Sequence, residues 1–377
     1  MFKRSEQAVH EMLAPLGITI GGSSPQDIRI HDQRFYDRIM SGGSLGLGES
    51  YMDGWWDANQ LDAFFAALLS DRSLIERAKK FWPAMLNAYA GNMVNRQGTA
   101  RQSFKSGQAH YDIGNDLYTR MLDTRMAYTC GYWKDATNVD EAQEAKFDLV
   151  CRKIGLKPGM KVLDLGCGWG CFAKFAAEKY DVSVVGVTVS KDQVALGMEM
   201  CQGLPVELKL QDYRDTSGKY DRVVSIGLME HIGPKNYRTF MQVIHRTLKD
   251  GDEGLALVHT IGGNYSTTSI DPWIDKYIFP NAVLPSIAQI SAAMENLFVM
   301  EDWHNIGADY DKTLMAWYEN ISAKWDELDP QKYDERFRRM WDYYLLSCAG
   351  SFRSRMNQLW QVVISKKGVP GGYMTVR

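Results

Sequence analysis

Nothing in this chain is apolar for long enough to cross a bilayer. Its longest strongly apolar stretch is FFAALL, Phe64–Leu69, whereas a spanning helix needs about 20 such residues. Cysteine is sparse and unpaired in sequence. Cys130, Cys151, Cys167, Cys171, Cys201 and Cys348 make no CxxC pair and no compact framework. A chain of 377 residues needs no disulfide staples, so the reduced thiols of a cytoplasmic protein are expected. No charge of one sign dominates: the net of −3 excludes a large uniform nucleic-acid-binding face, though not a local basic patch. No secretory signal is expected, because MFKR is followed by SEQAVHEML and not by an apolar run. No spacing of His, Cys and Asp suggests a metal, and no internal repeat or low-complexity tract stands out.

What the chain has in quantity is large, soft apolar side chains: 12% aromatics and 19 methionines. Most belong in a core, but a pocket for a greasy ligand draws on the same residues. The length predicts two domains. The first, residues 1–95, reads as mainly helical: glycine punctuation and an aromatic cluster in SGGSLGLGESYMDGWW (Ser41–Trp56) precede an amphipathic helix. Its face is Leu61, Phe64, Phe65, Leu68 and Leu69. Beyond it Arg72, Arg77, Lys79, Lys80, Arg96, Arg101 and Lys105 are opposed only by Asp71 and Glu76. This is either a solvated face or a patch for anionic headgroups. A polar, glycine-punctuated linker is placed at residues 96–109.

From about Leu149 strands alternate with helical segments, the signature of a parallel sheet with crossover helices. Strands are predicted at KVLDLG (161–166), SVVGVTV (183–189), VELKLQ (206–211), RVVSIG (222–227), GLALVHTI (254–261), LFVMEDW (297–303) and LWQVVIS (359–365). Between the fifth and sixth lies an insertion, about 262–296, rich in proline and aromatics around DPWIDKYIFPNAVLPS (Asp271–Ser286).

The first strand of that series runs into a glycine turn, KVLDLGCGWG. A dinucleotide fold wants G-x-G-x-x-G to seat a pyrophosphate. Here the spacing is G-x-G-x-G, with Asp164 inside the strand. That suits S-adenosylmethionine, which has no phosphate. Asp164 can face its cationic amino-acid end while Gly166, Cys167, Gly168, Trp169 and Gly170 pack against the adenosine. The bland alternative is a tight strand-to-helix corner. The acidic residue that often ends the second strand to bind ribose is missing. VTVSKDQ offers Thr188, Ser190 and Gln193, of which Ser190 and Gln193 also read as a capping box. After the third strand QDYRD supplies Asp212, Tyr213 and Arg214 where adenine is held, with Tyr213 a stacking surface.

With these residues assembled, the chain resembles the cyclopropane-fatty-acid synthases and the related mycolic acid cyclopropane synthases. GSLGLGESYMDGWW, HYDIGNDLY, YTCGYW, LDLGCGWG, GVTVSKDQ, MEHIGPKNY, ALVHTIG, DPWIDKYIFPN and ADYDKTLMAW fall in the family's order along nearly the whole chain. Thr129 and Gly131 stand where serine and alanine are frequent. The resemblance implies a Rossmann-like, class I S-adenosylmethionine-dependent methyltransferase sheet with helices on both faces. This α/β domain spans residues 110–377 and is joined to the small, mainly helical N-terminal domain. It also implies methylene transfer to the cis double bond of an unsaturated acyl chain in a membrane phospholipid. Peripheral contact with the inner face of the membrane and a homodimer are implied as well.

The same resemblance implies a bound bicarbonate as base, held by groups at Cys130, Glu230, His259, Ile261 and Tyr310. Cofactor contacts are implied at Tyr128, Thr129, the glycine turn, Thr188–Gln193 and Tyr213–Arg214. Acyl-chain contacts are expected from Trp273, Tyr277 and Phe279 in the insertion, and cation-facing aromatics from Tyr132, Trp133 and Tyr310. An alkene is a poor nucleophile, so positioning is the largest service a site can offer it. The cation then formed needs only a weak base nearby and water excluded. Each residue also has a duller reading: His259 as a satisfied core histidine, Cys130 as a small buried hydrophobe, the insertion as a plain lid. Rival functions are a methyl-branching or hydroxylating enzyme of the same fold, a methyltransferase for a protein, RNA or polar metabolite, and a non-catalytic lipid-binding protein.

Overall fold

A computed structural model describes residues 2–71, 114–251 and 254–377. The basic residues from Arg72 to Lys105, the linker and the HYDI of HYDIGNDLY lie outside the described residues. In chain order the helices are α1 (Phe2–Leu13), α2 (Arg34–Met52), α3 (Leu61–Ser70), α4 (Asn115–Met121), α5 (Val139–Lys153), α6 (Cys171–Tyr180) and α7 (Lys191–Met200). They continue with α8 (Met229–Ile232), α9 (Tyr237–Thr247), α10 (Pro272–Tyr277), α11 (Ile287–Met294), α12 (Ala308–Ala323) and α13 (Glu335–Arg353). The strands are β1 (Ile28–Ile30), β2 (Trp56–Ala58), β3 (Lys161–Leu165), β4 (Ser183–Thr188), β5 (Val206–Leu210), β6 (Arg222–Ile226), β7 (Leu255–Gly263), β8 (Val299–Asn305) and β9 (Asn357–Ser365).

The chain divides into two units, one of residues 1–95, 269–280 and 310–357, the other of 96–268, 281–309 and 358–377. Part of the insertion and most of the chain between β8 and β9 therefore group with the N-terminal segment, where the sequence reading has one continuous domain from residue 110 onward. In the first unit β1 and β2 pair antiparallel. The glycines of SGGSLGLGES, read as punctuation, instead carry α2 through with a kink at Gly43, whose φ of 55° and ψ of −134° only glycine adopts easily. The amphipathic helix is present as α3, and its Phe64 and Phe65 are buried. Phe65 meets Tyr343 of α13 edge-on at 5.1 Å, and Arg353 of α13 bridges Asp62 at 2.6 Å and Asp311 at 2.8 Å.

The approach of α13 to α3 needs Gly350: a Cβ there would lie 2.6 Å from Phe65 Cβ and 2.7 Å from the Asp62 carbonyl oxygen. Gly350→Ala is expected to cost about 2 kcal/mol by overpacking. A calorimetric melt checks this, and an unmoved transition would mean that the two helices do not pack this closely.

The second unit is built on a seven-stranded sheet of order β5-β4-β3-β6-β7-β9-β8. β3 to β7 run parallel, and β8 and β9 pair antiparallel with a register irregularity between Met300 and Asp302. Every strand predicted from sequence is in this sheet, and the Rossmann-like class holds. Alternation sorts neighbouring residues to opposite faces. Leu163, Val223, Val258 and Val362 join a core with Phe240 and Ile244 of α9 and Ile290 of α11. Val162, Val224, Leu257 and Val363 join another with Phe147 of α5 and Phe172 and Phe175 of α6. Helices cover both faces. The strand order reverses between β3 and β6, and in open sheets of this kind the ligand crevice lies beyond the carboxyl ends of the strands at that point.

Candidate active site

At the carboxyl end of β3, Gly166, Gly168 and Gly170 have φ of 80°, 56° and 78°. Space as well as conformation excludes a side chain at the outer two. A Cβ on Gly166 would sit 3.0 Å from Leu228 Cβ, and one on Gly170 2.9 Å from Leu208 Cδ1. Cys167 and Trp169 between them are buried. Asp164 is 2% exposed. Burial pushes its carboxyl up to about 7 against the attraction of the Lys146 ammonium.

After β4, Thr188 Oγ1 donates to Gln193 Oε1 at 2.7 Å, and Ser190 Oγ caps α7 by accepting from Gln193 N at 3.3 Å. Only half of the expected capping box is therefore made. The Gln193 carboxamide oxygen serves Thr188, and its Nε2 reaches to 4.0 Å from the position of a Cβ on Gly168.

The segment from Ala127 to Tyr132 is gripped by α5. Gln143 Nε2 donates to the carbonyls of Ala127 (3.3 Å) and Thr129 (2.7 Å), and Lys146 Nζ donates to Thr129 Oγ1 at 2.7 Å. The Tyr132 N–H donates to the Ala142 carbonyl at 2.8 Å. The Asp123 carboxylate accepts from the N–H groups of Ala127 and Arg125, each at 2.9 Å. Tyr128 and Thr129 keep part of their surface, whereas Cys130 is buried and its Sγ donates to the Gly131 carbonyl at 3.1 Å. The Thr129 methyl lies 3.1 Å from where a Cβ on Gly227 would be, which puts it at the end of β6, beside the reversal point.

Glu230, at the start of α8 just past β6, is 5% exposed. Its carboxylate accepts from the Ile261 N–H at 2.9 Å and from Thr260 Oγ1 at 3.0 Å. Burial pushes it up to about 7. The Ile261 N–H is spent on Glu230, which leaves only its carbonyl for the expected ion contact. His259 of β7 is 1% exposed. Its Nδ1 stands 3.3 Å from Gln361 Nε2 of β9, and its Nε2 has no hydrogen-bond partner among the described residues. Burial holds the ring well below the ordinary histidine range, so the imidazole is neutral. A carboxamide nitrogen only donates, so Nδ1 accepts and Nε2 carries the proton.

Other expected residues are placed differently. The Tyr213 ring is packed in the core edge-on to Phe240 at 5.8 Å, and so is not an open stacking face. Asp212 is held by Arg214 through its N–H, Nε and Nη2 at 2.7–2.9 Å. Tyr132 meets His304 edge-on at 6.0 Å, and the Trp133 N–H donates to Asp309 at 3.0 Å.

Four expected residues belong to the first unit. There Trp273 is wholly enclosed by protein, with Nε1 3.3 Å from Met52 Sδ and its ring 4.4 Å from Tyr343, so its lipid contact is corrected to a packing role. Tyr277 donates to Glu49 at 2.9 Å, and Phe279 meets Tyr344 edge-on at 5.8 Å. Tyr310 packs on Phe352 at 4.6 Å. Gln143, Lys146, Thr260 and Gln361 were missed. The only trace of them in sequence is a polar residue on an otherwise apolar helix face or strand.

The mycolic acid cyclopropane synthetase family model matches residues 99–362. Cyclopropane-fatty-acyl-phospholipid synthase of Escherichia coli (strain K12) is 52% identical over 368 residues, covering 98% of this chain and 95% of that protein. A probable fatty acid methyltransferase of Pseudomonas putida is 37% identical over 275 residues, 70% of this chain and 69% of the relative. Among solved structures, mycolic acid cyclopropane synthase CmaA1 complexed with SAH and CTAB superposes with a TM-score of 0.62 at 32% identity. That match covers 69% of this chain and 97% of the other. With the reversal point and the glycine turn in place, the chain belongs to the mycolic acid cyclopropane synthetase family of S-adenosylmethionine-dependent enzymes.

Proposed function

We propose that this protein transfers a methylene group from S-adenosylmethionine to the cis double bond of an unsaturated acyl chain in membrane phospholipid, closing a cyclopropane ring, with bicarbonate as the base. The observation that carries the reading is the buried, neutral His259, whose Nε2–H is without a partner among the described residues. An orphaned buried donor of this kind calls for an acceptor supplied by a ligand. An oxyanion fits it, and an ionised Glu230 can accept a hydrogen bond from the hydroxyl of that same ion and so orient it.

S-adenosylmethionine supplies the electrophilic methyl group. Asp164, Gly166–Gly170, Gln193 and the Tyr128–Thr129 pair are the residues to hold it, the carboxylate toward its ammonium. Bicarbonate, when bound, supplies a base strong enough for a proton made acidic by an adjacent carbocation. The chain's own work is then to fix these partners and keep water out, since water would divert the cation to an alcohol. Glu230 is oriented by the Ile261 N–H and the Thr260 hydroxyl, which favour its ionised form against burial, and Gln361 keeps the His259 proton on Nε2. Peripheral membrane contact belongs to this reading through the basic residues from Arg72 to Lys105.

A second reading, methyl transfer without ring closure, is favoured by the similarity to a fatty acid methyltransferase. Incubation with isotopically labelled S-adenosylmethionine and unsaturated phospholipid vesicles separates the two. Cyclopropyl proton signals are expected to replace the olefinic ones. A methyl-branched or hydroxylated chain as sole product would overturn the proposal.

A further inference from the structure

Lys146 is a charged side chain with no exposed surface, and its charge has no part in the proposed chemistry described so far. It has no carboxylate within salt-bridge distance among the described residues, and its hydrogen bond there goes to Thr129 Oγ1 at 2.7 Å. A hydroxyl that accepts from an ammonium must turn its own proton elsewhere, because the ammonium has no acceptor capacity. The Thr129 backbone is anchored from the same helix by Gln143, one turn earlier, which donates to the Thr129 carbonyl. Thr129 keeps part of its surface, whereas Lys146 keeps none. Of the two, only the threonine has surface to offer a ligand, and the lysine lies behind it.

We infer that Lys146 is a positioning residue for the cofactor: it fixes the Thr129 hydroxyl as a donor toward the carboxylate of the S-adenosylmethionine amino-acid group and lends that contact positive charge. Asp164 faces the ammonium of the same group, so the two ends of the zwitterion meet opposite charges. The ammonium of Lys146 also weighs on the neutral His259 ring of β7, and the groups that favour it are Asp123 before the gripped segment, Cys130 within it, Asp164 on β3 and Cys171 on α6. Burial brings the ammonium down to about 8 against their pull, so the charge it lends is removed in the mildly alkaline range. This inference rests on the cofactor part of the proposed function alone. A different lipid product leaves it standing, and a protein that binds no S-adenosylhomocysteine would sink the proposed function first.

The test is a double-mutant cycle read by calorimetric binding of S-adenosylhomocysteine. Lys146→Met is expected to weaken binding about tenfold, the size of a lost charge-assisted hydrogen bond. Turnover at saturating cofactor should stay within about threefold, the signature of lost ground-state binding. Lys146→Gln, which retains a donor, should recover part of the affinity. On a Thr129→Ala background Lys146→Met should cost less than about twofold further. Equal losses in both backgrounds, or no loss in the wild type, overturn the inference.

A second measurement needs no Lys146 variant. Affinity for S-adenosylhomocysteine in the unaltered protein should fall as the pH rises through about 8, and fall less in Thr129→Ala. Identical falls would belong to the amino group of the ligand and would also overturn it.

Discussion

Glu230→Gln is expected to lower turnover by about 10²–10³-fold, the usual effect of removing one preorganised electrostatic group, with cofactor affinity nearly unchanged. The substitution is nearly isosteric, and the local hydrogen bonds can absorb it. The new Oε1 accepts from the Ile261 N–H as before. Thr260 Oγ1, which already reaches both Glu230 at 3.0 Å and the Ile261 carbonyl at 3.0 Å, gives its proton to the carbonyl and accepts from the new amide. What would be lost on the proposed reading is the negative charge that accepts a hydrogen bond from the hydroxyl of bicarbonate. Because burial pushes Glu230 up to about 7, wild-type activity at a fixed bicarbonate concentration should fall as the pH drops below about 7, and the variant should lack that limb.

The stability effect has the opposite sign. A carboxyl raised from 4.5 to about 7 binds more protons folded than unfolded in that window, so its contribution to stability declines as the pH rises through it. Glu230→Gln should therefore melt higher than wild type at pH above about 7 and show no such gain in acid. Turnover within a factor of about three of wild type would remove Glu230 from the site.

Gly262→Ala is expected to be the most destabilising conservative change in the second unit. A Cβ on Gly262 would stand 1.9 Å from Trp360 Cζ3 and 2.4 Å from Cη2. Trp360 is 2% exposed and meets Trp303 edge-on at 5.4 Å, so its ring cannot swing aside without moving a second indole. Overpacking of this kind costs about 3 kcal/mol, or a melting temperature lower by roughly 6–12 °C. The site should suffer as well. Gly262 follows His259 by three residues on β7, and Trp360 precedes Gln361 on β9, so pushing the strands apart withdraws the amide that keeps the His259 proton on Nε2. Thermal melts and turnover below the transition check both. A melt unchanged from wild type would mean that β7 and β9 do not lie as close as the structure has them.

Much of this protein was written locally. The strands β3 to β9 are short apolar runs between turn residues, and the spacing of Gly166, Gly168 and Gly170 suited S-adenosylmethionine better than a dinucleotide, with the family's motifs carrying the rest. Such features depend on neighbours a few residues apart, and the pattern of side chains carries them directly. Glu230 and His259 came from the family resemblance, since by themselves a polar residue just past a strand and a histidine in an apolar strand read equally well as loop lining and core.

What only the tertiary structure decided are the pairings across long stretches of chain and the direction of each ring. Gln361 meets His259 from 102 residues away, Ile261 grips Glu230 from 31 and Lys146 reaches Thr129 from 17. Which residues become neighbours there follows from the strand order and from how helix faces pack, and no local spacing encodes either. The same holds for Tyr213 and Trp273, whose aromatic character fits a ligand surface or a core equally well. Residues 269–280 and 310–357 group with the N-terminal unit, although the chain reads straight on through them. Sequence therefore determined which chemistry is present, because turn conformation and side-chain type are local properties. Tertiary structure decided which groups face one another, because burial and close packing are properties of the whole fold.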